Sequence, residues 1–581
     1  MLFLQRLKIF LPFRAKIISL FLLGLFSSAF FLSGPYFSKL FIDASFLKKD
    51  IHAFFKFTII GGAIFLFSAL TKVFSDVVKN RALTKAKLAL AESFIRKFYS
   101  LDLAFFQAKS VGENIYRLGD IERVARFLLE RLPNLGIDIA KFLIILGISL
   151  WVNFRMSLFM VILSPLFLLQ GLYIRRKIKP IYQEIWKSYA ELSKKLHEAF
   201  SRILIIKALG LESFTRRSYI RLLVRNIRLG LKSFRWSILN SLTSAFLSKS
   251  VFATLSLYGG WMIIKGNLSL GSYTAAMLYL TQIGALLQSL SSTFDYFVQD
   301  IICVERFFEI MEREPKIKDS PGAVTLSAIK GQIEFRNVCF AYQEERPVFK
   351  NMSFGIPTGK WIGIVGPSGS GKTTIISLIL RLYDPSGGVV LIDGVDLQKI
   401  KLQSVRGMIS IATQEPLLFD LSLKDNIAYG LKDISLRQIE EVASTVQLDD
   451  FVRQLPKKYD TVIGENACQL SQGYKQRVAL ARAIIRNPTL LILDEATSSV
   501  DSLTEEKIFR ALREKRRGRS TLVISHRLFS VKDAEVIYFL RPQGLVEEGK
   551  HEDLLTKSPQ YKEFFQNQLE GSEAELGIET P

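Results

Sequence analysis

The sequence predicts two domains in series: an α-helical polytopic membrane domain with six transmembrane helices, then an α/β domain of the P-loop kind. Three observations carry this. Six long apolar runs fill the first half of the chain; a glycine-rich stretch, Gly366-Pro367-Ser368-Gly369-Ser370-Gly371-Lys372-Thr373, stands between an apolar strand and an apolar helix; and a second apolar strand, Leu490-Leu491-Ile492-Leu493, runs into the adjacent acids Asp494 and Glu495. At 581 residues the chain exceeds what one hydrophobic core supports. With 49% hydrophobic residues and 45 phenylalanines it carries more apolar surface than a water-soluble chain usually hides.

The segment Met1–Lys16 alternates apolar and basic residues, which fits a stretch lying along the inner membrane surface ahead of the first span. A signal peptide cut near Ser27-Ser28-Ala29 is the rival, but cutting there would leave five spans and misplace the carboxy-terminal half. The apolar runs are Ala15–Pro35, Phe55–Ser75, Leu135–Trp151, Leu158–Tyr173, Ala245–Ile264 and Tyr273–Phe294. Several approach the ~20 residues a helix needs to cross ~30 Å of hydrocarbon. The gaps between them are unequal. Asn153–Met156 and Lys265–Leu270 are short turns, whereas Asp76–Asn134 and Ile174–Ser244 are long, charged and helical in pattern. Basic residues crowd these long stretches, as in Arg175-Arg176-Lys177-Ile178-Lys179, so the long gaps belong in the cytoplasm. The amino terminus and everything after the sixth run then share the cytoplasmic side of a multi-pass protein in the cell's inner membrane.

That distribution also explains the formal charge of +23 without nucleic acid, since no nucleic-acid-binding signature accompanies the basic residues. Charges inside the runs are few. Asp138 and Lys141 lie three apart on one helical face and can neutralise each other; Lys249 stands in the fifth run. A charge at mid-bilayer costs about 2.5–3.5 kcal/mol, so these side chains are expected to face the bundle or a wet cavity. Cys303, Cys339 and Cys468 are far apart and form no Cys-x-x-Cys pattern, which predicts neither a disulfide framework nor a metal site.

Pro315, Pro321 and Gly322 break the helical pattern. The expected organisation is a membrane domain over residues 1–314, a linker over 315–330, an α/β domain over 331–569 and an acidic, unpatterned tail over 570–581.

The chemistry lies in the α/β domain. In the strand-to-helix setting of a P-loop, the backbone N–H groups of Gly366, Ser368, Gly369, Ser370 and Gly371 curl around phosphates, and the helix entered at Thr374 adds a favourable dipole. Lys372 reaches the outer phosphates and Thr373 reaches magnesium. Successive strand side chains point opposite ways, so Asp494 and Glu495 are expected to do different jobs: Asp494 in the magnesium shell, Glu495 polarising the attacking water. A further apolar strand, Thr521–Ser525, delivers His526, which can donate to a terminal phosphate or hold the water.

The ordered set of the P-loop, Gln414, Leu470-Ser471-Gln472-Gly473, Leu493-Asp494-Glu495, Ser499-Val500-Asp501 and His526 resembles the nucleotide-binding domain of ABC transporters. Six spans ahead of one such domain resemble an ABC exporter half-transporter, and the likeness covers nearly the whole chain. The resemblance implies ATP and Mg2+ as ligands, Tyr342 stacking on adenine, Gln414 touching magnesium and sensing the membrane domain, and Asp501 and Thr461–Glu465 as partner-facing segments. Leu103-Ala104-Phe105-Phe106 and Ile206–Glu212 resemble the intracellular loops whose tips dock on nucleotide domains in that family. It further implies that Ser471 and Gly473 cap the terminal phosphate of ATP held by a second half-transporter. The partner is expected to be a second copy, or an unlike half if the signature is weakened. Two residues depart from the family's Leu-Ser-Gly-Gly-Gln: Gln472 in place of glycine and Tyr474 in place of glutamine. A DNA-acting ABC ATPase would need coiled-coil arms that the stretch from Thr374 to Gln469 is too short to hold. The expected activity is export or flipping of a hydrophobic or amphipathic substrate: a lipid, drug or peptide. Aromatic-rich helices suit such a substrate, and the same side chains also suit contact with membrane lipid.

Overall fold

The computed structural model describes residues 14–46, 49–108, 111–152, 154–326, 328–464, 470–544 and 546–565. Cys468, Gln469, Glu465, the acidic tail and most of the amino-terminal segment lie outside the described residues. The chain divides into two compact units, 1–314 and 315–581.

The first unit is helical: α1 (Arg14–Phe41), α2 (Ile51–Tyr99), α3 (Val111–Arg126), α4 (Leu132–Val152), α5 (Phe154–Ser201), α6 (Glu212–Ile264) and α7 (Leu270–Met311). Asp50 and Ser269 cap α2 and α7, accepting from the N–H groups of Ala53 and Ser272 at 3.1 Å each. The helices run far beyond a bilayer: α2 has 49 residues and α6 has 53, each about 75 Å at 1.5 Å per residue. α5 and α6 are tied by Gln170 Nε2, which donates to Asn240 Oδ1 at 3.1 Å and Ser244 Oγ at 2.9 Å, and farther along by Arg225 to Glu191 at 3.4 Å.

Among the described residues, four segments are long and apolar enough to cross a membrane: Arg14–Ser45, Ile51–Tyr99, Arg117–Trp151 and Leu270–Leu287. The other two expected runs lie in α5 and α6. Many side chains of Leu158–Tyr173 fall outside the described set, and Ala245–Ile264 is diluted by Lys249 and by Ser248, Ser250 and Ser256. On α2, Phe55, Ile59, Phe65 and Leu66 are more than 60% exposed. Rings and isobutyl groups turned outward in this number have an apolar surrounding, which is lipid. The fully buried aromatic cluster of this unit, Phe94, Phe105, Phe127, Phe307 and Phe308, joins the extension of α2 to that of α7, with Phe94 and Phe307 stacked at 5.4 Å.

The second unit holds two main sheets, beside a two-stranded pairing of Leu421–Ser422 with Val462–Ile463. β1 (Ile333–Gln343), β2 (Arg346–Ile356) and β4 (Gly387–Ile392) form an antiparallel layer in the order β2-β1-β4, extended by the short strand Val395–Asp396. The second sheet combines β3 (Trp361–Val365), β5 (Ile409–Ala412), β6 (Leu490–Asp494), β7 (Ser520–Ile524), β8 (Val536–Leu540) and β9 (Val546–Gly549) in the order β9-β8-β3-β7-β6-β5. All its pairings are parallel except β8 with β9. β3 is buried at every position, and β6 at every position but its last, as continuous apolar runs predict for central parallel strands. The stretch read as a linker is stitched to this unit: Val324 bridges Ile400, Asp319 accepts from the Leu402 N–H at 2.8 Å, and Ser320 donates to the Gln398 carbonyl at 2.9 Å.

Candidate functional site

Register decides what the parallel sheet brings together. Ile524 of β7 lies opposite Ile364 of β3 on one side and Asp494 of β6 on the other. The glycine loop after β3, the acids at the end of β6 and His526 after β7 therefore emerge side by side at the carboxyl ends of neighbouring strands, where open α/β sheets bind ligands.

After β3 the chain turns through Gly366–Gly371 into α8 (Lys372–Ile379). Gly371 has φ +101°, and a Cβ there would sit 2.4 Å from the Phe349 ring, so this entry to the helix requires glycine. Lys372 Nζ donates to the carbonyls of Gly366 at 2.8 Å and Pro367 at 3.0 Å. Burial lowers its pKa, against which the charges of Glu495 and Asp494 act to raise it. Ser370 Oγ is buried without a hydrogen-bond partner among the described residues. The Ser370 N–H donates to the Pro367 carbonyl at 3.2 Å, which closes the loop, and an orphaned hydroxyl at a helix start suits an acceptor such as phosphate. Thr373 is exposed at the helix start, and Thr374, buried, meets the Tyr342 hydroxyl at 3.2 Å. The Tyr342 ring is 51% exposed, with T-shaped contacts to Phe340 at 4.9 Å and Tyr383 at 5.2 Å.

Glu495 lies one residue past the end of β6, at φ +48°, with its N–H donating to the Ile524 carbonyl at 2.9 Å. Strand alternation therefore does not set its direction as the sequence predicted; the left-handed turn does. Its carboxylate holds two of the predicted residues. Gln414 Nε2 donates to Oε2 at 2.7 Å, and His526 Nδ1 lies 3.2 Å from Oε1. Asp494 is pushed up to about 6 by burial and by the neighbouring Glu495 charge, with Lys372 pulling the other way. A carboxyl raised by burial and a like charge is the environment a divalent cation stabilises. Among the described residues no three His, Cys, Asp or Glu side chains form a metal cluster, so a cation here would draw the rest of its shell from hydroxyl, amide, water or phosphate oxygen.

Ser471 and Gly473 stand apart from this cluster, at the start of α9 (Gln472–Ile485). Ser471 caps the helix, its Oγ accepting from the Tyr474 N–H at 3.4 Å. A Cβ on Gly473 would come 2.7 Å from the Ser499 carbonyl, so the helix start packs directly on the backbone that follows Glu495. Asp501 caps α10 (Ser502–Lys515) through the Thr504 N–H at 2.9 Å, and that bond lowers its pKa.

Two further residues escaped the sequence reading. Gln476, 1% exposed, donates to the Gln414 carbonyl at 3.1 Å and Ser498 Oγ at 2.8 Å, and accepts from the Ser499 N–H at 2.8 Å. It binds α9 to both loops flanking Glu495. Glu505, equally buried, accepts from Thr497 Oγ at 2.7 Å and Ser530 Oγ at 2.8 Å and pairs with Arg527 at 3.3 Å, joining the turn after Glu495 to the segment after His526. A glutamine within a basic helix start and a glutamate at a helix start carry no sequence signal of such roles.

A P-loop, an acidic strand end and a histidine on adjacent parallel strands, behind a unit of lipid-facing helices, define a membrane protein with a nucleotide-hydrolysing domain. Comparison with known proteins agrees. The profile for ABC transporters matches residues 349–498, and that for the ABC transporter transmembrane region matches residues 17–287. The ATP-dependent lipid A-core flippase of Syntrophus aciditrophicus is 32% identical over 96% of this chain and 91% of its own length. The fatty acid ABC transporter ATP-binding/permease protein of Mycobacterium bovis is 31% identical over 86% of this chain and 79% of its own. A solved structure of a bacterial Atm1-family ABC exporter with ATP bound superposes with a TM-score of 0.87 at 28% identity, covering 96% of this chain and 99% of that one. The chain belongs to the ABC transporter family, in which it is an exporter-type half-transporter and an ATPase coupled to transport.

Proposed function

We propose that two such chains pair in the cytoplasmic membrane, with their amino termini and nucleotide-binding domains in the cytoplasm, and export or flip a hydrophobic or amphipathic substrate at the expense of ATP. The observation that carries this is the Glu495 carboxylate held between Gln414 and His526, beside the Lys372 loop, in a chain whose other half exposes apolar helices. Each residue then has a task. Tyr342 stacks on the base. Lys372 exchanges the Gly366 and Pro367 carbonyls for the outer phosphate oxygens, and Ser370 and the loop N–H groups complete the cradle. Glu495 polarises the attacking water and takes its proton; Gln414 orients Glu495, and His526 donates toward the terminal phosphate. Mg2+, when bound, neutralises phosphate charge, and Thr373, Gln414 and Asp494 would hold it.

Ser471 and Gly473 complete the partner's site. Two like chains are the favoured pairing, because Tyr474 is packed into its own domain and leaves those two positions intact; pairing with an unlike half is the alternative that Tyr474 itself raises. The relatives' lipid and fatty acid substrates support an amphipathic cargo. The test is Glu495→Gln in the purified transporter. Losing a general base lowers turnover about 10²–10⁴-fold, while ATP binding persists because the amide keeps the shape. Near-normal phosphate release would remove Glu495 from the mechanism.

A further inference from the structure

Between α1, α2, α4 and α7, the first unit holds a cavity of about 510 Å3. α2 is two-faced there. Leu66, Leu70, Val73 and Val77 recur at helical spacing on an exposed apolar face, while Ser68, Lys72, Ser75, Asp76 and Lys79, offset by two residues, line the cavity. From across the cavity come Arg131, Asp138 and Lys141.

The charges do not balance. Lys72, Lys79, Arg131 and Lys141 line it against Asp76 and Asp138, and with Arg131 paired to Asp300 outside the lining, one positive charge is left unmatched among the described residues. Each lining carboxylate already has a cation: Lys79 Nζ is 3.4 Å from Asp76, and Lys141 Nζ is 3.8 Å from Asp138, whose other oxygen accepts from Ser289 Oγ at 2.8 Å. Arg131 lies 3.9 Å from Asp300 and over the face of Tyr296 at 4.2 Å. Lys72 has no ion-pair partner among the described residues. Its ammonium is exposed at the end of an apolar run, beside acids that are already matched among the described residues, so it would attract an anion and repel a cationic guest.

We propose that this cavity takes the anionic headgroup, phosphate or carboxylate, of an amphipathic substrate, with Lys72 as its principal cation. The proposal rests on the export reading above and names the substrate class for it. The serines beside Lys72 supply hydroxyl donors to the headgroup oxygens, and the acyl chain lies along apolar helix surface.

The test measures binding rather than hydrolysis. Fluorescent acyl probes sharing one tail but ending in carboxylate, phosphate, hydroxyl or quaternary ammonium are titrated against the full-length protein in zwitterionic nanodiscs without nucleotide. The carboxylate and phosphate probes should bind about tenfold or more tighter than the hydroxyl probe, the yield of one charge-assisted contact. Lys72→Ala and Lys72→Glu should erase that preference, and Lys72→Arg should keep it, which separates a charge effect from misfolding. Equal affinity for the anionic and hydroxyl probes, or an anionic preference that survives Lys72→Glu, overturns the assignment. Inorganic phosphate should not displace the probes; full displacement would make the guest a free anion and overturn the amphiphile. ATP turnover is measured separately. A preserved anionic preference without turnover defeats the export reading alone, and turnover stimulated equally by hydroxyl and anionic probes defeats the cavity assignment alone.

Discussion

Gln476→Ala removes one buried side chain and three hydrogen bonds, at 3.1, 2.8 and 2.8 Å, to the Gln414 carbonyl, Ser498 and Ser499. At about 0.5–1.5 kcal/mol each, the loss sums to about 1.5–4.5 kcal/mol, with the upper part favoured because the deserted groups remain buried. In a domain of this size that corresponds to roughly 6–12 °C in unfolding midpoint for a loss near 3 kcal/mol. Stability alone would not reveal the residue's role. Gln476 is the link between α9 and both segments that set Glu495, so its loss should also loosen the Gln414 loop and the turn at Ser498–Ser499. The matched control is Val478→Ala, on the same helix and fully buried, which destabilises by about 2 kcal/mol through lost burial while sparing those contacts. Hydrogen exchange on the intact transporter should show faster exchange in all three segments for Gln476→Ala, and ATP turnover should fall about tenfold or more below that of Val478→Ala. Equal turnover in the two variants, or exchange confined to α9, would refute the linking role.

Two other outcomes follow from the site and its periphery. Lys372→Ala and Ser471→Arg should each silence a homodimer by about 10²–10³-fold, whereas mixed dimers carrying one of each restore a whole site and part of the ATPase; proven mixed dimers without recovery would place the complete site within one chain. Burial lowers the pKa of His551, opposed by the nearby Glu552, with Lys532 adding to the shift and Asp533 opposing it, and its Nδ1 meets the Tyr561 hydroxyl at 2.9 Å. The folded state then binds fewer protons than the unfolded one, so this contribution is full above the unfolded value of about 6.5, declines below it and is lost as pH falls through the lower folded value; the unfolding midpoint should drop more for the parent than for His551→Gln between about pH 7.5 and pH 5.5.

The residues that sequence made legible are those whose chemistry has few substitutes: a glycine loop with Lys372, the acids ending β6, and His526 ending β7. Each sits at a strand end, where an apolar run stops at a polar residue, and parallel order then aligns the ends without further information. What stayed hidden depends on three-dimensional neighbours. Gln476 and Glu505 are ordinary helix residues until the Ser498 turn and Arg527 fold against them. In the sequence Glu495 continues the strand pattern, because the apolar run gives no warning of a left-handed turn. In the first unit, hydropathy marks where a helix is apolar but not where it ends, so the extension of α6 to 53 residues was visible only as charged helical pattern. Lys249 illustrates the converse: one lysine among serines weakens the apolar signal of the fifth run within a helix that continues unbroken through it.

The start of α9 separates two demands within a single helical turn. The Tyr474 ring stacks on Phe451 at 4.1 Å, the Arg477 guanidinium covers it at 4.2 Å, and Arg477 Nη1 donates to the Gln447 carbonyl at 2.6 Å. Tyr474 is thus an anchor within its own domain, and aromatic pairs of this kind contribute about 0.5–1.5 kcal/mol beyond their burial. Among the described residues Ser471 Oγ is held by one cap bond of 3.4 Å, at the long limit for such a contact, so its hydroxyl can turn to a stronger acceptor at little cost. Gly473 cannot be enlarged, because the Ser499 carbonyl occupies the space. Exchanging glutamine for tyrosine therefore changes how firmly the helix is seated while leaving what its first turn can present. In the proposed dimer, the helix that reaches for a partner's phosphate is the one Gln476 fastens to the loops around its own Glu495, so a shift in the first two turns of α9 is felt at both catalytic sites.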